Sequence, residues 1–219
     1  MKIEGALLMV LAGCMVPSLL IAAAQGESSS IMGFGSVIAI CVITGFILYH
    51  RFKSQSRQSL RSRDGFLVVA ASWFIASLAG CLPFIISGSM PNFFDAFFET
   101  ASGFTTTGST ILTDIEILPR SDLFWRSFTH WIGGMGIIVF ITAILPAFGI
   151  NGQIVANAET TGPTKDKIAA KFSDNSKGIY TIYFIMTVLQ TILLRFGGLS
   201  WYDSLVHTFG TVGTGGFSI

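Results

Sequence analysis

The sequence predicts an all-α polytopic membrane protein built from span, pore-loop, span repeats, preceded by two extra amino-terminal transmembrane helices. Three observations predict it. Hydrophobic residues make up 51% of the chain and charged residues only 11%, with a mean hydropathy of +0.68, which excludes an ordinary soluble domain. Five apolar runs are long enough to cross a hydrocarbon core of about 30 Å, which takes roughly 20 helical residues. A 14-residue segment also recurs without gaps, as Asp95-Ala-Phe-Phe-Glu-Thr-Ala-Ser-Gly-Phe-Thr-Thr-Thr-Gly108 and Asp203-Ser-Leu-Val-His-Thr-Phe-Gly-Thr-Val-Gly-Thr-Gly-Gly216.

The first span is expected over Ile3 to Ala24 and the second over Ile31 to Tyr49. Leu11-Ala-Gly-Cys14 resembles a lipoprotein cleavage box and Ala22-Ala-Ala-Gln25 a signal-peptidase site, but the apolar run continues well past Cys14, so a retained span is the reading. Residues 1–64 then form two helices and a basic loop containing Arg51, Lys53, Arg57, Arg61 and Arg63. The third span, Gly65 to Ser87, opens a first repeat over residues 65–149, which closes with the span Leu123 to Phe148. A loop over residues 150–177, with Lys165, Lys167, Lys171 and Lys177, leads to the fifth span, Ile179 to Phe196, and to an incomplete second repeat over residues 178–219. Basic residues near span ends stay in the cytoplasm. Both basic loops are therefore expected inside, along with the amino terminus, while Glu27, Asp114, Glu116 and Asp122 lie outside and both repeated segments enter from there. Cys14, Cys41 and Cys81 all fall in apolar spans, where they pack as small hydrophobes, and no metal spacing is formed.

Each repeated segment starts with a capping residue and an acid three residues later, Asn92 with Asp95 and Ser200 with Asp203. From the cap to the Thr/Gly turn is a helix of about 11 residues, or roughly 16 Å, half a bilayer. It enters without crossing and points the negative end of its dipole at the membrane centre, where a cation is favoured. The chain must then return through backbone that is tolerated at this depth only against protein or a water-filled path. The returning chain, Phe104-Thr-Thr-Thr-Gly-Ser109 in the first copy and Thr211-Val-Gly-Thr-Gly-Gly-Phe217 in the second, with Gly108 and Gly216 aligned, is expected to offer carbonyl oxygens to a weakly hydrated monovalent cation. Glycine reaches unusual backbone angles without steric cost, and threonine hydroxyls satisfy neighbouring groups or add a ligand. Glu99 either attracts cations or is a buried carboxyl bonded to the filter backbone, and His207 in the second copy reads as a structural residue. Trp131-Ile-Gly-Gly-Met-Gly136 offers small residues for close helix approach, and Pro146 kinks or ends its span. The spans offer no nucleophile with a base, nor paired carboxylates, so an intramembrane hydrolase is disfavoured and no enzyme is expected.

These residues resemble the Trk/Ktr/HKT superfamily of potassium transporters, most closely its bacterial TrkH branch. The likeness rests on Asp95-Ala-Phe-Phe-Glu99, Ser102-Gly-Phe-Thr-Thr-Thr-Gly108, Gly133-Gly-Met-Gly-Ile-Ile-Val139, Ile144-Leu-Pro146, Gly162-Pro-Thr-Lys-Asp166 and Gly215-Gly-Phe-Ser218. The resemblance implies four span, pore-loop, span repeats of the potassium-channel-like type in pseudo-fourfold symmetry around one potassium pathway, with Thr105, Thr106, Thr107 and Gly108 as the ion-binding residues of the first filter quarter and Gly213, Thr214, Gly215 and Gly216 as those of the second. It implies potassium as the substrate with no cofactor, a bacterial inner-membrane location, surrounding lipid, homodimers and a cytosolic nucleotide-binding regulatory subunit of the TrkA type. Residues 150–177 are then a candidate contact for that subunit, and no nucleic-acid partner is expected. The chain stops at Ile219, without the closing span of repeat two or repeats three and four, and with them the family's gating loop and pore-facing arginine. It is therefore expected to be part of a longer potassium-uptake protein, the alternative being a non-transporting half-transporter that serves as a scaffold or regulatory membrane subunit.

Overall fold

The computed structural model describes residues 2–51, 62–136 and 169–217, and among them every regular element is a helix. In order these are α1 (Lys2–Gln25), α2 (Ser28–Arg51), α3 (Ser62–Ser87), α4 (Phe93–Phe104), α5 (Arg120–Gly134), α6 (Ala169–Phe196) and α7 (Trp201–Val212). By length and composition α1, α2 and the Leu67–Ser87 part of α3 are able to cross a membrane. The apolar stretch of α6, Tyr180–Phe196, is shorter. Within the described residues that helix extends back to Ala169, eleven residues before this stretch, and includes Lys171 and Lys177. Pro146, the Gly162–Asp166 motif and Lys165 lie outside the described residues, as do Lys53, Arg57 and Arg61.

A tight turn joins α1 to α2. Gly26 adopts a φ of 71°, and the Glu27 amide bonds back to the Ala22 carbonyl at 3.0 Å, which satisfies an otherwise orphaned carbonyl at the end of α1. The two helices cross at Gly5 and Gly45 with almost no side chain between them. A Cβ on Gly5 would sit 2.7 Å from the Gly45 carbonyl oxygen, and one on Gly45 would sit 2.8 Å from that of Gly5. Helix α2 then reaches α3 at Gly33, where a Cβ would lie 2.9 Å from the Pro83 carbonyl.

Trp125 on α5 is the centre of the core. Its ring is fully buried, meets Phe34 and Phe104 edge-on at 6.3 Å each, and donates its Nε1 hydrogen to the Gly80 carbonyl at 2.9 Å. Thus one side chain links α2, α3, α4 and α5. Glu27 fixes where α5 begins. The N-cap of that helix is Pro119, which makes no side-chain cap bond, and Glu27 supplies the missing acceptors from the α1–α2 turn. Its Oε1 accepts from the Arg120 amide at 2.9 Å, and its Oε2 accepts from the Ser121 amide and hydroxyl. This places a carboxylate at the positive end of the helix dipole.

On the other side, α6 is attached to α5 and α7 by hydrogen bonds. The Trp131 Nε1 donates to Thr187 Oγ1 at 2.9 Å, Tyr183 donates to the Trp131 carbonyl at 3.0 Å, and Thr191 donates to Thr208 of α7 at 3.1 Å. The apolar part of α6 over 180–196 exposes Ile182, Phe184, Ile185, Leu189 and Leu193, and a face of α2 exposes Ile40, Ile43, Phe46 and Ile47. Such continuous apolar faces suit a lipid environment or another membrane-embedded surface.

The glycine crossing is directly testable. Gly45→Val is expected to destabilise the protein by about 1–3 kcal/mol through overpacking, seen as an earlier unfolding midpoint in detergent. Gly13→Ala, where a Cβ meets nothing within 4 Å, is expected to leave that midpoint unchanged or raise it.

Candidate functional site

The repeated segment forms the same structure twice. Helices α4 and α7 each contain 12 residues, about 18 Å, and their caps are the two expected from the sequence. Asn92 accepts from the Phe94 amide at 3.0 Å, and Ser200 accepts from the Asp203 amide at 3.1 Å. Inside each helix an equivalent threonine bonds back by one turn, Thr100 to the Ala96 carbonyl and Thr208 to that of Ser204.

The turns that follow also match, residue by residue. Thr105 and Gly213 are right-handed, with φ and ψ of −80° and 1° and of −69° and −5°. Thr106 and Thr214 come next at positive φ, 55° and 70°, and Gly108 and Gly216 follow at 73° and 71°. Positive φ is uncommon outside glycine and costs a β-branched residue most, of order 1–3 kcal/mol. That it occurs at Thr106 and again at Thr214 means that the surrounding structure imposes it. Where right- and left-handed residues alternate, successive amides turn to one side and their carbonyls to the other. Such a backbone can line a path with oxygen, which is what binding a dehydrated cation requires.

The two turns lie against each other. A Cβ on Gly108 would collide with the carbonyl oxygen of Gly215, and one on Gly215 would lie 2.6 Å from that of Thr106. Residues of the two copies therefore meet although 108 positions separate them. Thr105 and Thr107 are exposed, as are Thr214 and Gly216, so each turn presents an edge that this chain leaves uncovered. The Thr105 hydroxyl donates to the Ala101 carbonyl at 2.8 Å and lies 2.8 Å from that of Thr107, so it satisfies local backbone.

Glu99 behaves as the buried carboxyl of the two alternatives. It is fully buried, its Oε1 accepts from Thr110 at 2.7 Å and its Oε2 from the Ile111 amide at 3.0 Å, which anchors the chain just past the first turn. Its charge is balanced by Arg126, whose Nε lies 2.7 Å from Oε1 with both side chains buried. The Arg126 guanidinium also stacks over the Phe217 ring at 3.5 Å, immediately after the second turn. One helical turn further, His130 stacks on the same ring and fills the space that side chains at Gly213 and Gly215 would need. Ser127 donates to the Phe217 carbonyl at 3.3 Å. The sequence reading missed Arg126 and His130, and took Phe217 only as part of the returning chain. An arginine within an otherwise apolar span was the available signal for the first of these.

The small residues of Trp131–Gly136 allow close approach as expected, and the neighbours are the ends of the two short helices. A Cβ on Gly133 would strike the Phe104 carbonyl, and one on Gly134 would lie 2.9 Å from the Gly213 Cα. His207, in the place of Glu99, is half-buried, and its carbonyl accepts the Thr211 hydroxyl. The four acids expected on the outer side differ in exposure. Asp114 and Glu116 are exposed, whereas Glu27 is engaged on α5 and Asp122 is buried.

Known proteins match this arrangement throughout. The family described as TrkH, cation transport protein, matches residues 30–219. The Trk system potassium uptake protein TrkH of Halomonas elongata is 38% identical over 222 residues, covering 100% of this chain and 45% of the relative. That of Escherichia coli is 37% identical over 220 residues, covering 99% and 45%. The crystal structure of the potassium transporter TrkH from Vibrio parahaemolyticus superposes with a TM-score of 0.78 at 33% identity, covering 99% of this chain and 43% of that one. The chain thus spans about half the length of the relatives it matches. With two like half-crossing helices, two like turns and a family match over most of its length, this chain belongs to the TrkH family of cation transport proteins.

Proposed function

We propose that this chain supplies two filter segments of a potassium transporter of the bacterial inner membrane, through which the cation moves inward down its electrochemical gradient. The observation that supports this reading is the pair of equivalent turns at 105–108 and 213–216, in contact with each other and each set at the carboxyl end of a half-length helix. Thr105, Thr106, Thr107 and Gly108 of one turn and Gly213, Thr214, Gly215 and Gly216 of the other offer the ion-binding oxygens. Potassium is the substrate because carbonyl oxygens replace a weakly held hydration shell, and among the described residues no carboxylate bonds to either turn to favour a divalent ion.

Residues 1–64 and 65–149 serve as the amino-terminal helix pair with its basic loop and as the first repeat. Residues 150–177 serve as a cytoplasmic connection and 178–219 as the opening of the second repeat. The amino terminus faces the cytoplasm, and a TrkA-type nucleotide-binding subunit docks on the cytoplasmic side of a homodimer.

The exposed edge of each turn favours a second reading, in which this chain by itself is a scaffold or regulatory half-transporter that does not conduct. Rubidium uptake by cells lacking their own potassium uptake separates the two. Uptake above the empty-vector control supports conduction by this chain, and uptake equal to the control supports the scaffold reading.

In conducting protein, Gly108→Ser is expected to lower the potassium over sodium uptake ratio about tenfold, equivalent to about 1.4 kcal/mol of differential binding. An unchanged ratio counts against the filter assignment. Arg126→Gln leaves Glu99 buried without its partner and is expected to cost about 3–5 kcal/mol, read as lost membrane yield and an earlier unfolding midpoint. The double change Glu99→Gln with Arg126→Gln is expected to recover part of that loss, and an additive result would show that the pair is not coupled.

A further inference from the structure

Gly213 and Gly215 of the second turn occupy the places of Thr105 and Thr107 in the first. In the first turn those two side chains are present, and their hydroxyls lie 2.8 Å apart. The backbone does not call for glycine at the corresponding places in the second. Gly213 is right-handed at a φ of −69°, and neither it nor Gly215 is among the residues with positive φ. Space is what demands glycine there. A Cβ on Gly213 would strike the Cδ2 of His130 and lie 2.9 Å from its carbonyl oxygen, and one on Gly215 would strike its Cε1 and Nε2. This imidazole is fully buried and stacks on Phe217 with ring centroids 5.4 Å apart. Neither of its nitrogens has a hydrogen-bond partner among the described residues, so it acts on the turn through its shape.

The first turn rests on α5 in another way. There a Cβ on Gly133 would strike the Phe104 carbonyl, so backbone meets backbone. In the second, one ring from α5 takes the room that two threonine side chains would fill, and Gly215 also abuts the first turn, with its Cβ position 2.6 Å from the Thr106 carbonyl oxygen. A close-packed interior passes a change in the volume of such a ring on to its neighbours. We propose that His130 is the positioning residue of the second turn, a rigid spacer that sets how far residues 213–216 stand from α5 and from the first turn. Its functional consequence rests on the filter reading above: the separation of the two turns decides which alkali ion their oxygens fit.

The positioning is tested on the purified chain in detergent by amide hydrogen exchange, which does not require conduction. The amides of Thr105, Thr106 and Thr107 and those of Gly213, Thr214 and Gly216 all donate hydrogen bonds, so both turns start out protected. His130→Ala is expected to speed exchange in the second turn at least about tenfold, with the first turn and α1–α2 changing far less. His130→Phe, which keeps a flat ring on Phe217 without either nitrogen, is expected to retain most of that protection. Gly213→Ala is expected to speed exchange by itself and to cost less in the His130→Ala background, where the ring that it strikes is gone. Should His130→Ala not fold, His130→Asn, which shortens the spacer, is read in the same way. No acceleration, equal acceleration in both turns, a loss in His130→Phe as large as in His130→Ala, or strict additivity with Gly213→Ala overturns the proposal. In conducting protein, His130→Ala is expected to lower the potassium over sodium uptake ratio about fivefold. If Gly108→Ser lowers that ratio and His130→Ala does not, the filter stands and the role of the spacer in selectivity falls. If neither changes it, the filter reading fails, and exchange alone decides whether His130 positions the turn.

Discussion

The buried ion pair between Glu99 and Arg126 joins the three parts on which the rest of this structure depends: the half-length helix α4, the chain returning from its turn, and helix α5. Hydrocarbon supplies no water to backbone groups, so a chain that turns back inside a membrane must find its hydrogen bonds within the protein. Glu99 gives the Ile111 amide its acceptor, and Arg126 offsets the cost of keeping that carboxylate buried. The net worth of such a pair to stability is small, but its geometric consequence is large. It sets α5 against the first turn at a separation that leaves no room for a side chain at Gly133.

The two copies of the repeat are alike in backbone and unlike in support. In the first, an acid from the short helix itself holds the returning chain. The second has His207 at that position and draws its support from α5, through Ser127 at the Phe217 carbonyl and through Arg126 and His130 at the Phe217 ring. One helix therefore braces both turns, and contact between the Gly108 and Gly215 positions follows from that shared brace. The amino-terminal pair reaches the same helix from the other side, since Glu27 completes the α5 start and Trp125 ties its middle to α2, α3 and α4.

The helix pattern and the two half-length helices were legible in the sequence for local reasons. Apolar runs of bilayer length, a capping residue with an acid three positions on, and a Thr/Gly stop are each written within a few neighbouring residues. For α6 the apolar run marked only the lipid-facing part and not the helical stretch back to Ala169, because hydropathy reports where a helix enters lipid and not where hydrogen bonding begins. Asp122 and Glu27 were assigned to an acidic outer face because charge in a loop near a span normally meets water. The burial of Asp122 and the engagement of Glu27 depend on partners 35 and about 90 residues away, such as Ser87 and Ser121.

The sequence by itself determined that this chain is a membrane protein of all-α class with two equivalent pore-type segments, because composition, span length and an ungapped repeat are properties of the chain read in order. It also marked the glycines at 108 and 216, since only backbone freedom explains glycine at the same place in both copies. Tertiary structure alone decided that the turns touch, that Glu99 is neutralised by Arg126 and that Phe217 lies beneath a guanidinium. Each of these is a contact between segments far apart in the chain, selected by burial and by the need to satisfy every polar group, and no local pattern encodes such a pairing.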